Sequence, residues 1–231
     1  MKIISNLNIN AARTIRDALT SWDATDTALE RLGKCFKSNT VLSDVLAKAS
    51  GIDKLYSTRA GNIYWVSDAV VKTMTEIKDR QDKGETFDCV EIVDMISFYK
   101  TKLYPGSSRC ASFASKYCHF FVPNWDFPIF DSFAKQAVNF LLVEKQYGMA
   151  PDRTEYGDFC ERVNRLRNIN PLEGVSAREL DRYLWLLGMW NIQDGNASRV
   201  INEDVYHIFK SDDPFICKQI SELVHFENSV T

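Results

Sequence analysis

Tyr104-Pro105-Gly106-Ser107-Ser108-Arg109-Cys110-Ala111-Ser112-Phe113-Ala114-Ser115-Lys116-Tyr117-Cys118-His119-Phe120-Phe121 is the stretch whose pattern decides the fold class. Pro105 and Gly106 make a turn, and Ser108 is placed to N-cap the helix after it. Cys110, Phe113, Ala114, Tyr117 and Phe121 then recur at the 3.6-residue spacing of an apolar helical stripe. On the opposite side Arg109, Ser112, Lys116 and His119 line up at i, i+3, i+7 and i+10, a row of hydrogen-bonding and ionisable groups bounded by aromatic rings. Pro123 stops the helix.

The same helical period recurs on both sides of this stretch. Apolar residues run at helical spacing from Ile9 to Leu32, with a break near Thr20 to Ala24, and a shorter helix is expected over Ser43 to Ala49. Ile63, Val66, Val70 and Met74 share one face, which predicts a buried helix. The charged stretch Lys78 to Glu85, with Gly84 near its end, reads as a solvated helix end or loop. Val90, Val93 and Ile96 or Ser97 give a further stripe within Asp88 to Tyr99. Beyond Pro123, Phe127-Pro128-Ile129-Phe130 is extended. Asp131 opens a helix from Ser132 to Gln146 that Gly148 closes. Tyr156 to Leu166 and Ser176 to Met189 complete the set, the latter with Ser176 and Glu179 as a capping box. Trp185 and Trp190 read as core. Strand signals are few and no repeat is present. The expected class is all-α, one domain over residues 1–231, with the turn and the chemistry-bearing segment at about 97–147.

The 231 residues, 45% hydrophobic and 26% charged, have globular composition and argue against disorder. Apolar runs such as Phe140-Leu141-Leu142-Val143 are far short of the roughly 18 residues a membrane span requires. The start lacks a basic segment followed by an apolar core, so a cytoplasmic protein without membrane contact is expected. Six scattered cysteines with no C-x-x-C pair argue against a zinc site or a disulfide framework and read as buried thiols. Neither a metal nor an organic cofactor is expected. The G-x-S-x-G elbow, the P-loop and the G-x-G-x-x-G fingerprint are absent. Net charge is −3, which does not recommend a nucleic-acid binder, yet Met95 to Trp125 holds no Asp or Glu while carrying Lys100, Lys102, Arg109 and Lys116. A local cationic surface binds phosphate even on an acidic molecule.

The segments Ser112-Phe113-Ala114-Ser115-Lys116-Tyr117-Cys118-His119-Phe120-Phe121, Pro123-Asn124-Trp125-Asp126 and Phe127-Pro128-Ile129-Phe130-Asp131-Ser132-Phe133-Ala134 together resemble the core of the helix-hairpin-helix DNA glycosylase superfamily. The chain is most similar to distant bacterial members of the 8-oxoguanine glycosylase type. The resemblance covers about Lys102 to Phe140. It implies a two-lobed helical architecture, a duplex DNA partner with one base flipped out, and excision of a modified base by a monomer. It also implies a catalytic aspartate at Asp131 and, in many members, a catalytic lysine. Two departures stand out. The family turn carries Gly-x-Gly to hold a DNA phosphate, and here only Gly106 is kept. The usual lysine position holds Ser112, and Lys116 lies one helical turn later on the same face.

The residues also make a chemical case without the resemblance. Breaking an N-glycosidic bond builds positive charge on the sugar, which a fixed carboxylate such as Asp131 stabilises. A neutral Lys116 amine attacking the same carbon would form a Schiff base and permit strand cleavage. Asp131 reads also as a plain N-cap, Lys116 as a phosphate-binding or ion-paired lysine, and His119 as a satisfied structural group. Trp125 is either a plate for an extruded base or a loop aromatic covering the core. Arg109, Lys102 and Lys100 are expected at phosphates, whereas Arg162, Arg165 and Arg167 read as a solvated cluster. The polar row of Ser112, Lys116 and His119 suits a base bearing a polar group, such as hypermodified cytosine in viral DNA, which would make the protein an antiviral defence enzyme. Housekeeping removal of an oxidised purine and noncatalytic DNA binding are the alternatives.

Overall fold

The computed structural model describes residues 2–123, 126–143, 154–169, 172, 174–194 and 202–228. Among them are eleven α-helices and one antiparallel pair of two-residue strands, β1 (Lys2–Ile3) and β2 (Glu227–Asn228), so the class is all-α. The helices are α1 (Asn6–Asp17), α2 (Thr20–Cys35), α3 (Leu42–Tyr56), α4 (Ile63–Gln81), α5 (Cys89–Leu103), α6 (Ala111–Phe121), α7 (Ser132–Leu142), α8 (Glu155–Ile169), α9 (Ala177–Asp194), α10 (Glu203–Phe209) and α11 (Pro214–Leu223). No helix among the described residues is long and apolar enough to cross a membrane. The chain divides into two compact units, one of Thr25–Phe130 and one of Met1–Ala24 with Asp131–Thr231.

The Thr25–Phe130 unit holds most of α2 and all of α3 to α6. Its core takes in Val66, Val70 and Met74 from α4, Val93 and Ile96 from α5, and Phe113, Ala114 and Tyr117 from α6, all on the faces the helical period marks; Ile92 of α5 joins them, whereas Ile63 and Val90 are only half-buried. Asn62 caps α4 by accepting from Tyr64 N at 2.9 Å. Asp88 and Glu91 form a capping box at α5, each side chain accepting a backbone N–H of the other at 2.8 Å. The expected short helix at Ser43–Ala49 instead runs two turns further, to Tyr56. It passes through Gly51, where a Cβ would stand 2.5 Å from a Leu32 methyl of α2. Packing overrides a weak helix former.

In the other unit the break between α1 and α2 falls at Ala18–Leu19, before the expected Thr20–Ala24, because Leu19 N turns back onto Arg16 O and the Leu19 side chain is buried. Asn8, buried on α1, donates its amide to the carbonyls of Glu222, Leu223 and His225 and so closes the C-terminal end of α11. α7 ends at Leu142 on a left-handed Val143; the expected stop at Gly148 lies outside the described residues. α9 begins with the Ser176–Glu179 capping box. Trp185 packs against Trp22 and Phe133, and Trp190 against Phe209. Arg162 departs from the expected solvated cluster: it is buried and donates to Asn139 Oδ1 at 2.6 Å, and the same burial lowers its pKa, with Arg165 adding to the effect. Of the six thiols expected inside, Cys110, Cys118 and Cys160 are buried, but Cys35 and Cys217 are exposed. Cys35 is the last residue of α2 and Cys217 lies in the first turn of α11, helix ends that the core does not cover.

Candidate functional site

α5 and α6 are joined by the turn Tyr104–Cys110, in which Gly106 takes the left-handed φ of +85° that its lack of a Cβ allows. The turn is anchored on both sides. Tyr104 stacks on Trp65 with ring centroids 4.8 Å apart and donates its hydroxyl to Asp68 Oδ2 at 3.0 Å. Lys100, expected at a phosphate, is only 3% exposed, and its ammonium donates to Ser108 O at 2.8 Å inside the turn. α5 points Lys100 at a carbonyl of the turn, and the ammonium gives that carbonyl a donor. The N-cap of α6 is Cys110 rather than Ser108, and no side chain caps it. Lys102 and Arg109 are exposed, with the Lys102 ammonium 5.5 Å from the Phe98 ring centre.

The polar row of α6 faces the extended segment Asp126–Phe130 of the same unit. His119 Nδ1 donates to Phe127 O at 2.9 Å, which fixes the proton on that nitrogen. Lys116 is 3% exposed, and its Nζ donates to Ser112 Oγ at 3.1 Å and to Phe130 O at 3.5 Å. Ser115, which the helical spacing did not single out, is fully buried. Its hydroxyl donates to Ser112 O and accepts from Phe130 N at 3.0 Å. A serine midway between Ser112 and His119 on the same side of the helix was the available signal. Ser112, Ser115, Lys116 and His119 thus form a ladder along the backbone of a segment that is itself neither helix nor strand. Three of its backbone groups find donors or acceptors there, as buried main-chain groups must.

Asp131 is the N-cap of α7. Its Oδ1 accepts from Phe133 N at 2.9 Å and from Ala134 N at 2.8 Å, with extended backbone at φ −139°. The first turn of α7 is also held from α9: at Gly188 a Cβ would lie 2.1 Å from Phe133 O, so only glycine lets the two backbones meet. Trp125 lies outside the described residues. Among the described residues no three His, Cys, Asp or Glu side chains gather into a metal-binding group.

On the buried side of α6 the pKa shifts arise from desolvation. The Tyr117 phenol and the Cys118 thiol are pushed well up, and Cys110 is raised, by burial that disfavours their charged forms. Facing this side, Lys48 of α3 is lowered to about 8 by burial, with Asp44 opposing the shift.

The fold and these elements define an all-helical protein in which a short glycine turn leads from one helix into a second, lysine-bearing helix. Residues 8–125, just over half of the chain, match the family model of the HI_0787_N N-terminal domain, and the protein belongs to that family. No curated protein and no solved structure matches the chain.

Proposed function

We propose that the protein is a DNA glycosylase that excises a modified base from double-stranded DNA, acting as a monomer in the cytoplasm. The observation that supports this reading is the helix–turn–helix of α5 and α6. Its second helix directs Lys116 at the carbonyl of Phe130, the residue joined by one peptide bond to Asp131 at the start of α7. In this reading the Asp131 carboxylate stabilises the cationic sugar as the base departs. With water as nucleophile an abasic site remains, and with the Lys116 amine the sugar becomes a Schiff base from which the strand is cut. Lys102 and Arg109, exposed beside the turn, hold phosphates, and Trp125 stacks on the extruded base.

The preferred substrate in this reading is a cytosine with a bulky polar substituent, which would place the enzyme in antiviral defence. A noncatalytic DNA-binding protein is the second reading, favoured by the engagement of Ser115, Lys116 and His119 with main chain. The deciding experiment incubates the protein with duplexes bearing 8-oxoguanine, uracil, alkylated adenine or glucosylated hydroxymethylcytosine and detects released bases by mass spectrometry. Release from the glucosylated duplex alone is expected. Release of oxidised guanine alone would make it a repair enzyme, and duplex retention in a gel shift without any release would favour the noncatalytic reading.

A further inference from the structure

Lys48 is the least expected residue of the Thr25–Phe130 unit. It sits on α3 with 1% exposure, and its ammonium donates to Ser38 O at 2.9 Å and to Asn39 Oδ1. The ammonium also stands 5.6 Å from the Tyr117 ring centre and 5.4 Å from that of Phe121, both on α6. Asn39 completes the cluster. Its Oδ1 accepts a second hydrogen bond, from Tyr117 Oη at 2.8 Å, and its Nδ2 donates at 2.8 Å to Phe121 O, the carbonyl of the last residue of α6. Ser38 is held in turn, its N–H donating to Asp44 Oδ2 at 3.0 Å. Every polar atom of the Asn39 side chain is thereby tied to α3 or α6.

An apolar residue at position 48 would bury the same surface at no desolvation cost, and a buried cation adds little net stability against such an isostere. What a cation with directed hydrogen bonds adds is geometry. α6 has eleven residues, too short to hold its helix without tertiary contacts. Its apolar stripe alone leaves rotation about the axis loosely defined, because dispersion contacts have no direction. The Lys48 and Asn39 bonds act on Tyr117 and on the Phe121 carbonyl, so they constrain both rotation and axial position.

We propose that Lys48, Asn39 and Tyr117 form a lock that sets the rotation of α6, and thereby where Ser112, Lys116 and His119 stand. Lys48 is then a positioning residue that acts through α6. The consequence for catalysis rests on the glycosylase reading, whereas the lock itself does not.

The test compares wild type with Lys48→Met, Asn39→Leu and Tyr117→Phe by hydrogen exchange resolved along the chain. α6 amides are expected to exchange about tenfold faster or more in each variant while α4 and α5 stay within about twofold of wild type. Lys48→Met combined with Tyr117→Phe is expected to do less than the product of the two single effects, because both act through Asn39. On whichever duplex the wild type excises, kcat falls by about tenfold or more while KM stays within about twofold, the signature of displaced groups rather than lost binding. Wild-type exchange of α6 in Lys48→Met, or uniform acceleration across Thr25–Phe130, overturns the lock. If the wild type excises nothing from the duplex panel the glycosylase reading fails, and the exchange pattern still decides whether the lock exists.

Discussion

Asp131 separates a structural carboxylate from a chemical one, because its two duties depend on different properties of the group. As N-cap, Oδ1 holds the N–H groups of Phe133 and Ala134 at 2.9 and 2.8 Å. Loss of such a cap costs about 1 kcal/mol, and the negative charge at the helix start contributes about 0.3–1 kcal/mol more. Asp131→Ala removes both, so a loss of about 1–2 kcal/mol is expected, which for a chain of this size lowers Tm by roughly 2–8 °C. Asp131→Asn keeps an oxygen in the same place and loses only the charge, so its stability should fall by less than about 1 kcal/mol. Catalysis ranks the variants differently. If the carboxylate stabilises the developing sugar cation, Asn is as damaging as Ala, and each lowers the excision rate by about 10²-fold or more. The assay pairs thermal melting with abasic-site formation on the responsive duplex, well below both midpoints. Asp131→Asn retaining more than about a tenth of wild-type excision would refute the catalytic role and leave Asp131 as a cap.

Three further outcomes rest on packing and ionisation. Gly188→Ala places a Cβ 2.1 Å from the Phe133 carbonyl oxygen, a backbone atom that no rotamer change can move. Urea unfolding should show a loss of about 3 kcal/mol, and a change below about 0.5 kcal/mol would mean α7 and α9 separate freely. The Tyr183 hydroxyl is buried with no partner among the described residues, so Tyr183→Phe should stabilise by about 1 kcal/mol; a loss of that size would reveal a partner. Lys48 has a pKa of about 8 in the fold, against about 10.4 in the unfolded chain. Between those values the unfolded state binds more protons, so this group makes stability rise with pH. Below pH 8 both states are protonated and the slope vanishes. Asp44 and Tyr117 adjoin the amine, so the reading is the difference between wild type and Lys48→Met from pH 7 to 10, and equal slopes in the two proteins would refute the buried amine.

The helical class, most of the buried faces of α4, α5 and α6, and the caps at Asp131 and Ser176 were legible in the chain, because each rests on spacing or on a side chain meeting a backbone group within a few residues. The extended character of Phe127–Phe130 was legible for the same reason, since proline restricts its neighbour locally. Tertiary structure alone decided where the cations and polar groups went. Lys48 drew no notice among ordinary lysines, and Lys100 read as a phosphate contact, yet both are buried against carbonyls supplied by residues outside their own helices. Gly51 and Gly188 carry no mark of their own in the helical pattern, yet each is a point where another part of the chain approaches. The polar row of α6 was visible as a row, but that it runs along the backbone of Asp126–Phe130 depends on how that segment returns. Periodicity records which face of a helix is covered, since burial of apolar area has no direction. The partner of a buried ammonium or hydroxyl is set by distances between residues far apart in the chain, and only the packed structure contains those.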